Sequence, residues 1–252
     1  MPENNQVNIS IFPRQLLILS GSVLKVIACI IMLIDHTASL LLSQYQPALQ
    51  PVIRILGRNY SIYQICRYVG RPAFPIFCFL IVEGFEHTHN RIHYGANLLL
   101  FCIISEIPWN IGMGRDLHYA RQNVYYTLFF GFLTMCLIEY FEGKRLIQTF
   151  IMAVMVFFTA WFSADYSYRG YILLMIMYWL RKQRAAQALI ACAWLKYEWT
   201  ASFAFIFINM YNGKRGFIKS GVLKYAFYLF YPVHILCLIL IREILFNTPV
   251  KF

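Results

Sequence analysis

Residues 24–42 read LKVIACIIMLIDHTASLLL. The stretch is almost all hydrocarbon, and about 20 such residues cross the apolar layer of a bilayer as a helix. Asp35 and His36 nevertheless stand side by side within it. Ionisable residues at that depth are costly, which makes both functional candidates. Sequence neighbours point about 100° apart around a helix, so the pair does not share a face. Asp35 is expected to meet a cation on another helix or a different histidine, such as His234. His36 suits general-base chemistry because its ordinary pKa lies near neutral.

The rest of the chain agrees with a membrane setting. Its 252 residues are 60% hydrophobic and 13% charged, too little charge to cover a soluble domain of that size. An aromatic share of 18% suits side chains at the two bilayer interfaces. Clear apolar runs occupy 24–42, 123–141, 146–164 and 222–241, with shorter ones at 72–86, 95–112, 169–181, 185–197 and 199–211. These predict about nine spans. Backbone groups in lipid must bond within their own segment, and no alternation marks a barrel, so the spans are helices. The expected fold is all-α and polytopic. A polar tail and interfacial segment (1–23) leads into one transmembrane domain (24–242) and a C-terminal tail (243–252). The N-terminal segment lacks the pattern of a cleaved signal peptide.

The net charge is +11, from 22 Lys and Arg against 11 Asp and Glu. The cations punctuate the apolar runs, which points to lipid headgroups and membrane orientation and away from nucleic acid. With the N-terminus in the cytoplasm, the basic loops 142–145, 181–184 and 213–219 fall inside, as the positive-inside rule asks. The segment 54–71 objects, with Arg54, Arg58, Arg67 and Arg71 on the opposite side; it holds an extra buried element or functional arginines. Seven cysteines without a CxxC pair indicate neither a disulfide framework nor zinc. In the run EGFEHTHNR (83–91), His87 and His89 do not share a helix face, so no metal is expected.

Further ionisable residues within or beside the runs are Glu83, Glu106, Asp165 and His234, with Arg91, Asn123, Lys25 and Lys224 nearer the boundaries. Lys25 lies roughly 16 Å from His36 along a helix. A lysine at headgroup level and a histidine at depth would suit a long ligand with phosphates at one end and a reactive group at the other.

The order of VGRPAFPIFCFLIVEGFEHTHNR, ISEIPWNI, QNVYYTLFFGF, ADYSYRGYILLMIMYWLR and FYPVHILCLILI behind the opening stretch resembles the TraX family from about Leu24 to Ile241. That family is similar to a conjugative-pilin acetylase of the bacterial inner membrane, and distantly to the acyltransferase-3 and heparan-α-glucosaminide acetyltransferase families. The acyltransferase-3 pattern of a basic residue, ten residues and a histidine matches Lys25 and His36, with lysine in place of the more usual arginine. Ser167 and Arg169 depart from the family's loop at 164–171. The resemblance implies transfer of an acetyl group from cytosolic acetyl-CoA to an amine or hydroxyl on a protein or glycan. It implies His36 and Asp35 as catalytic groups and a cofactor clamp drawn from Lys25, Arg71, Arg91 and Lys224. Glu83, Glu106, Asn123 and His234 would support the acceptor or the oxyanion. Two rival classes use the same residues: a small proton-coupled transporter, and a non-catalytic assembly factor in which polar groups hold helices together.

Overall fold

The computed structural model describes residues 11–114, 117 and 119–247; of the predicted tails, 1–23 and 243–252, residues 1–10 and 248–252 lie outside them. The fold is helical, and the described elements run α1 (Gly21–Leu40), α2 (Gln46–Leu49), β1 (Pro51–Ile55), β2 (Arg58–Ser61), α3 (Ile62–Gly70), α4 (Ala73–His87), α5 (Arg91–Gly114), α6 (Val124–Tyr140), α7 (Arg145–Trp161), α8 (Ser167–Trp179), α9 (Arg184–Trp194), α10 (Ala204–Asn209) and α11 (Gly221–Phe246). A 3₁₀ stretch, Leu195–Phe203, joins α9 to α10 and kinks at Glu198. Four segments are long and apolar enough to cross a membrane: Gly21–Gln44, Ile62–His87, Arg91–Gly114 and Gly221–Phe246. Two shorter apolar helices are Val124–Tyr140 and Arg145–Trp161. Large apolar side chains face outward all around, among them Ile30, Ile103, Ile107, Phe150, Phe157 and Leu240. Such a coat fits a lipid solvent rather than water.

One stripe of α1 explains its place at the centre. Leu24, Ala28, Met32, His36 and Leu40 recur every four residues and are all buried, so His36 belongs to the inward face by helix geometry. That face packs against α4 and α11, while the side carrying Asp35 meets α3. Gly70 makes the second contact close, because a Cβ there would collide with the Asp35 side chain.

The segment 54–71 holds elements that the apolar runs did not predict. An antiparallel hairpin pairs Arg54 with Asn59 and turns through Leu56 and Gly57, whose φ values of 49° and 78° are both left-handed. Ser61 then opens α3 with a capping box: its hydroxyl accepts from Gln64 N at 3.2 Å and Gln64 returns an acceptor to Ser61 N at 3.0 Å. The small sheet corrects the wholly helical expectation. A 4-residue strand facing another across a tight turn is too short to leave a spanning signature.

Helix ends gather at two faces. One face holds the start of α1, where Gly21 N donates to Lys214 O at 2.8 Å. On the same face Arg91 pairs with Glu139, Arg181 with Glu86 and Arg184 with Glu83. The other face holds the end of α1, the hairpin, α3 and the loops before α6 and α8, where Gln122 bridges Ala164. Pro232 lies inside α11 and leaves the Tyr228 carbonyl without its helical donor; that carbonyl accepts the Tyr125 hydroxyl at 3.2 Å.

Candidate active site

His36 Nδ1 lies 2.6 Å from His234 Nε2, and His234 Nδ1 lies 2.6 Å from Phe230 O. The rings are 5° from parallel with centroids 4.9 Å apart. With the nitrogens so close, this is edge-to-edge contact in one plane, not face stacking. The protons follow by elimination. A carbonyl only accepts, so His234 Nδ1 carries hydrogen and, in the neutral ring, Nε2 is the acceptor. His36 Nδ1 must then donate, which leaves the His36 Nε2 lone pair without a partner among the described residues. Both imidazoles are buried, at 7% and 6% exposure.

A cavity of about 180 Å³ opens beside His36. Trp109 and Tyr231 wall it, with ring centroids 6.3 and 5.8 Å from that of His36. The buried Tyr231 hydroxyl has no side-chain partner among the described residues and lies beside the backbone amide of Val124. Trp109 Nε1 donates to Arg121 O at 2.7 Å and so fixes the loop that brings Arg121 to the cavity. Asp35 sits in the wall, its Oδ2 2.6 Å from Arg67 Nη1. Arg71 lies 3.7 Å from Glu198 and close to Asp165 and Tyr166, which line the same cavity. Asp165, in the loop before α8, has its carboxyl pushed up to about 6 by burial, against the pull of Arg71. The cavity thus combines a free histidine nitrogen, two carboxylates and three arginines.

The family model described as "TraX protein" matches residues 20–242. The chain belongs to the TraX family. It is 31% identical over 244 residues, 84% of this chain and 91% of the other, to a protein of Dichelobacter nodosus named "Probable fimbrial assembly protein FimC, serogroup H1". No solved structure is a significant match.

Of the residues singled out in this TraX-family sequence, the cavity brings together His36, Asp35, Arg71 and Asp165, with His234 behind His36. Asp35 is held by Arg67, not by a histidine. Asn123 and Glu106 brace the loop at the rear: Asn123 Nδ2 donates to Glu106 Oε2 at 2.5 Å and to Cys102 O at 2.9 Å. Neither lines the cavity. Glu83 belongs to the opposite face, where it accepts from Arg184 Nη2 at 2.8 Å and takes no part in the cavity.

The four cations read as a cofactor clamp are divided. Arg71 is in the cavity wall, and Arg91 is engaged by Glu139 at the far face. Lys25 and Lys224 do converge at that far face, with Arg215 as a third charge, and Lys25 Nζ stands 5.6 Å over the Phe227 ring. None of these three makes an ion pair among the described residues. Sequence reasoning missed Trp109, Arg121 and Tyr231. Tyr231 alone carried a signal, since it precedes His234 by three residues and so shares its face.

Proposed function

We propose that this TraX-family chain is an acetyltransferase of the bacterial inner membrane, taking acetyl groups from acetyl-CoA to an amine or hydroxyl of a pilin-like or glycan acceptor. The free Nε2 of His36, enforced through His234 and the Phe230 carbonyl, carries the proposal. The same end-to-end logic orders a catalytic triad, in which a third group fixes the tautomer of the base. Here His36 Nε2 removes a proton from the acceptor as its nitrogen or oxygen attacks the thioester carbonyl. The new N–C or O–C bond forms, the C–S bond breaks, and the imidazolium returns its proton to the departing thiolate. The Tyr231 hydroxyl supplies a hydrogen bond to the oxyanion. Asp35, through Arg67, holds the wall in which His36 is set.

The donor's phosphates suit the unneutralised Lys25, Arg215 and Lys224, on the face that the basic loops place in the cytoplasm. His36 is then roughly 16 Å deeper, a span for the donor's flexible arm. Buried Cys29 and Met32 fill the intervening stretch of α1, so the arm must part α1 from α11 to reach it. The name of the D. nodosus relative favours a fimbrial subunit as acceptor.

The test is acetyl-CoA binding and hydrolysis by the detergent-purified protein beside His36→Ala. Retained binding with hydrolysis lost in the variant supports the reading. Absence of binding in both proteins leaves a non-catalytic assembly role as the better account.

A further inference from the structure

A second cavity, of about 880 Å³, lies between α8 and α9. A short turn makes the two helices antiparallel, and Trp194 Nε1 at the end of α9 donates to Arg169 O near the start of α8 at 3.0 Å. The lining changes character along that axis. Arg169, Lys196 and Tyr197 stand at the end where α8 begins, and Leu173, Ile176 and Ile190 lie deeper. From Arg169 to Ile176 the groove descends roughly 10 Å along the helix. Ile190 is 48% exposed, so the apolar part opens sideways, and in a membrane protein that direction leads to lipid.

The polar end holds an unbalanced pair of charges. Arg169 Cζ lies 5.2 Å and Lys196 Nζ 4.9 Å from the centroid of the Tyr197 ring, so the two cations are neighbours. Neither makes an ion pair among the described residues. Glu198 also lines the groove, but its carboxylate pairs with Arg71 at 3.7 Å. Asp165 belongs to the wall shared with the His36 cavity. Neighbouring cations repel until an anion comes between them.

We infer that the groove seats an anionic phospholipid, its phosphate between Arg169 and Lys196 and an acyl chain along Leu173, Ile176 and Ile190. Basic pockets between membrane helices recognise acidic headgroups in this way. The amides of a peptide, or of the acetyl-CoA arm, would find no hydrogen-bond partner among those three apolar side chains, whereas a hydrocarbon chain needs none. A zwitterionic lipid fits less well, because its own cation would face Arg169 and Lys196. A free phosphate would leave most of the volume unfilled. The site is independent of the acyl-transfer reading, since none of these five residues lines the His36 cavity.

The experiment sets the full chain in phosphatidylcholine nanodiscs holding a small share of phosphatidylglycerol with a photo-crosslinking group in its acyl chain. The labelled residues are then mapped. Labelling at 173–176 and 190–193 is expected to exceed that on the outward face of α5, at Ile103 and Ile107, at least fivefold. Unlabelled phosphatidylglycerol should compete it away in the wild-type chain. Arg169→Gln with Lys196→Gln should lower the groove label at least fivefold while the α5 label stays, which separates a lost site from a lost fold. Ala193→Trp, which fills the groove and keeps both cations, should abolish it. Equal labelling of the groove and α5, or equal groove labelling by a phosphatidylcholine probe, overturns the inference. Displacement by acetyl-CoA would assign the groove to the donor, and displacement by an apolar peptide would assign it to a polypeptide. Either result overturns the lipid.

Discussion

The carbonyl of Phe230 fixes a proton on His234, and through it the lone pair of His36. Removing His234 frees His36 to rotate and to adopt the other tautomer. His234→Ala is expected to lower acetyl-CoA hydrolysis by roughly 10²–10⁴-fold, the range of general-base and tautomer effects. His234→Gln, whose amide oxygen can accept from His36 Nδ1, should recover part of that loss. An unchanged rate in His234→Ala would remove the relay from the mechanism. At this scale the sequence marked His36, Asp35 and His234 because charge inside hydrocarbon is conspicuous. Trp109 was invisible because an aromatic residue in an apolar run looks like any core residue, and only its spacing from His234 hinted at Tyr231.

Helix α1 was legible as an element: its apolar length and four-residue stripe set both its span and its inward face. The hairpin and α3 were not, since 9 residues of mixed polarity do not form a spanning pattern. Only the four arginines of 54–71 hinted at them. Two of those, Arg67 and Arg71, line the cavity, and two, Arg54 and Arg58, stay exposed in the hairpin. The docking of α3 depends on Gly70. Gly70→Ala forces a methyl group against Asp35 and should destabilise the protein by about 1–3 kcal/mol, as overpacking does. Thermal unfolding in detergent measures this; a midpoint equal to wild type would mean that α3 yields without cost.

Over the whole molecule, the basic loops and the His36 cavity occupy opposite faces. The sequence anticipated the loops. It could not show that Arg71 and Lys25 lie apart, because that depends on which helix ends come together. With the N-terminal end of α1 in the cytoplasm, a cysteine introduced at Gly143 should react with a membrane-impermeant maleimide only after the inner membrane is breached. One at Leu56, 98% exposed at the hairpin tip, should react in spheroplasts. The reverse pattern would invert the orientation and move the donor to the other face.

Helix α11 joins these faces, with Lys224 at one side of Pro232 and His234 at the other. Proline removes the rung that residue 232 would have made to Tyr228, and the Tyr125 hydroxyl takes its place from a different helix. The stretch 228–232 is therefore where α11's own ladder is thinnest, and the strength missing there is lent by α6, the helix that carries Tyr125.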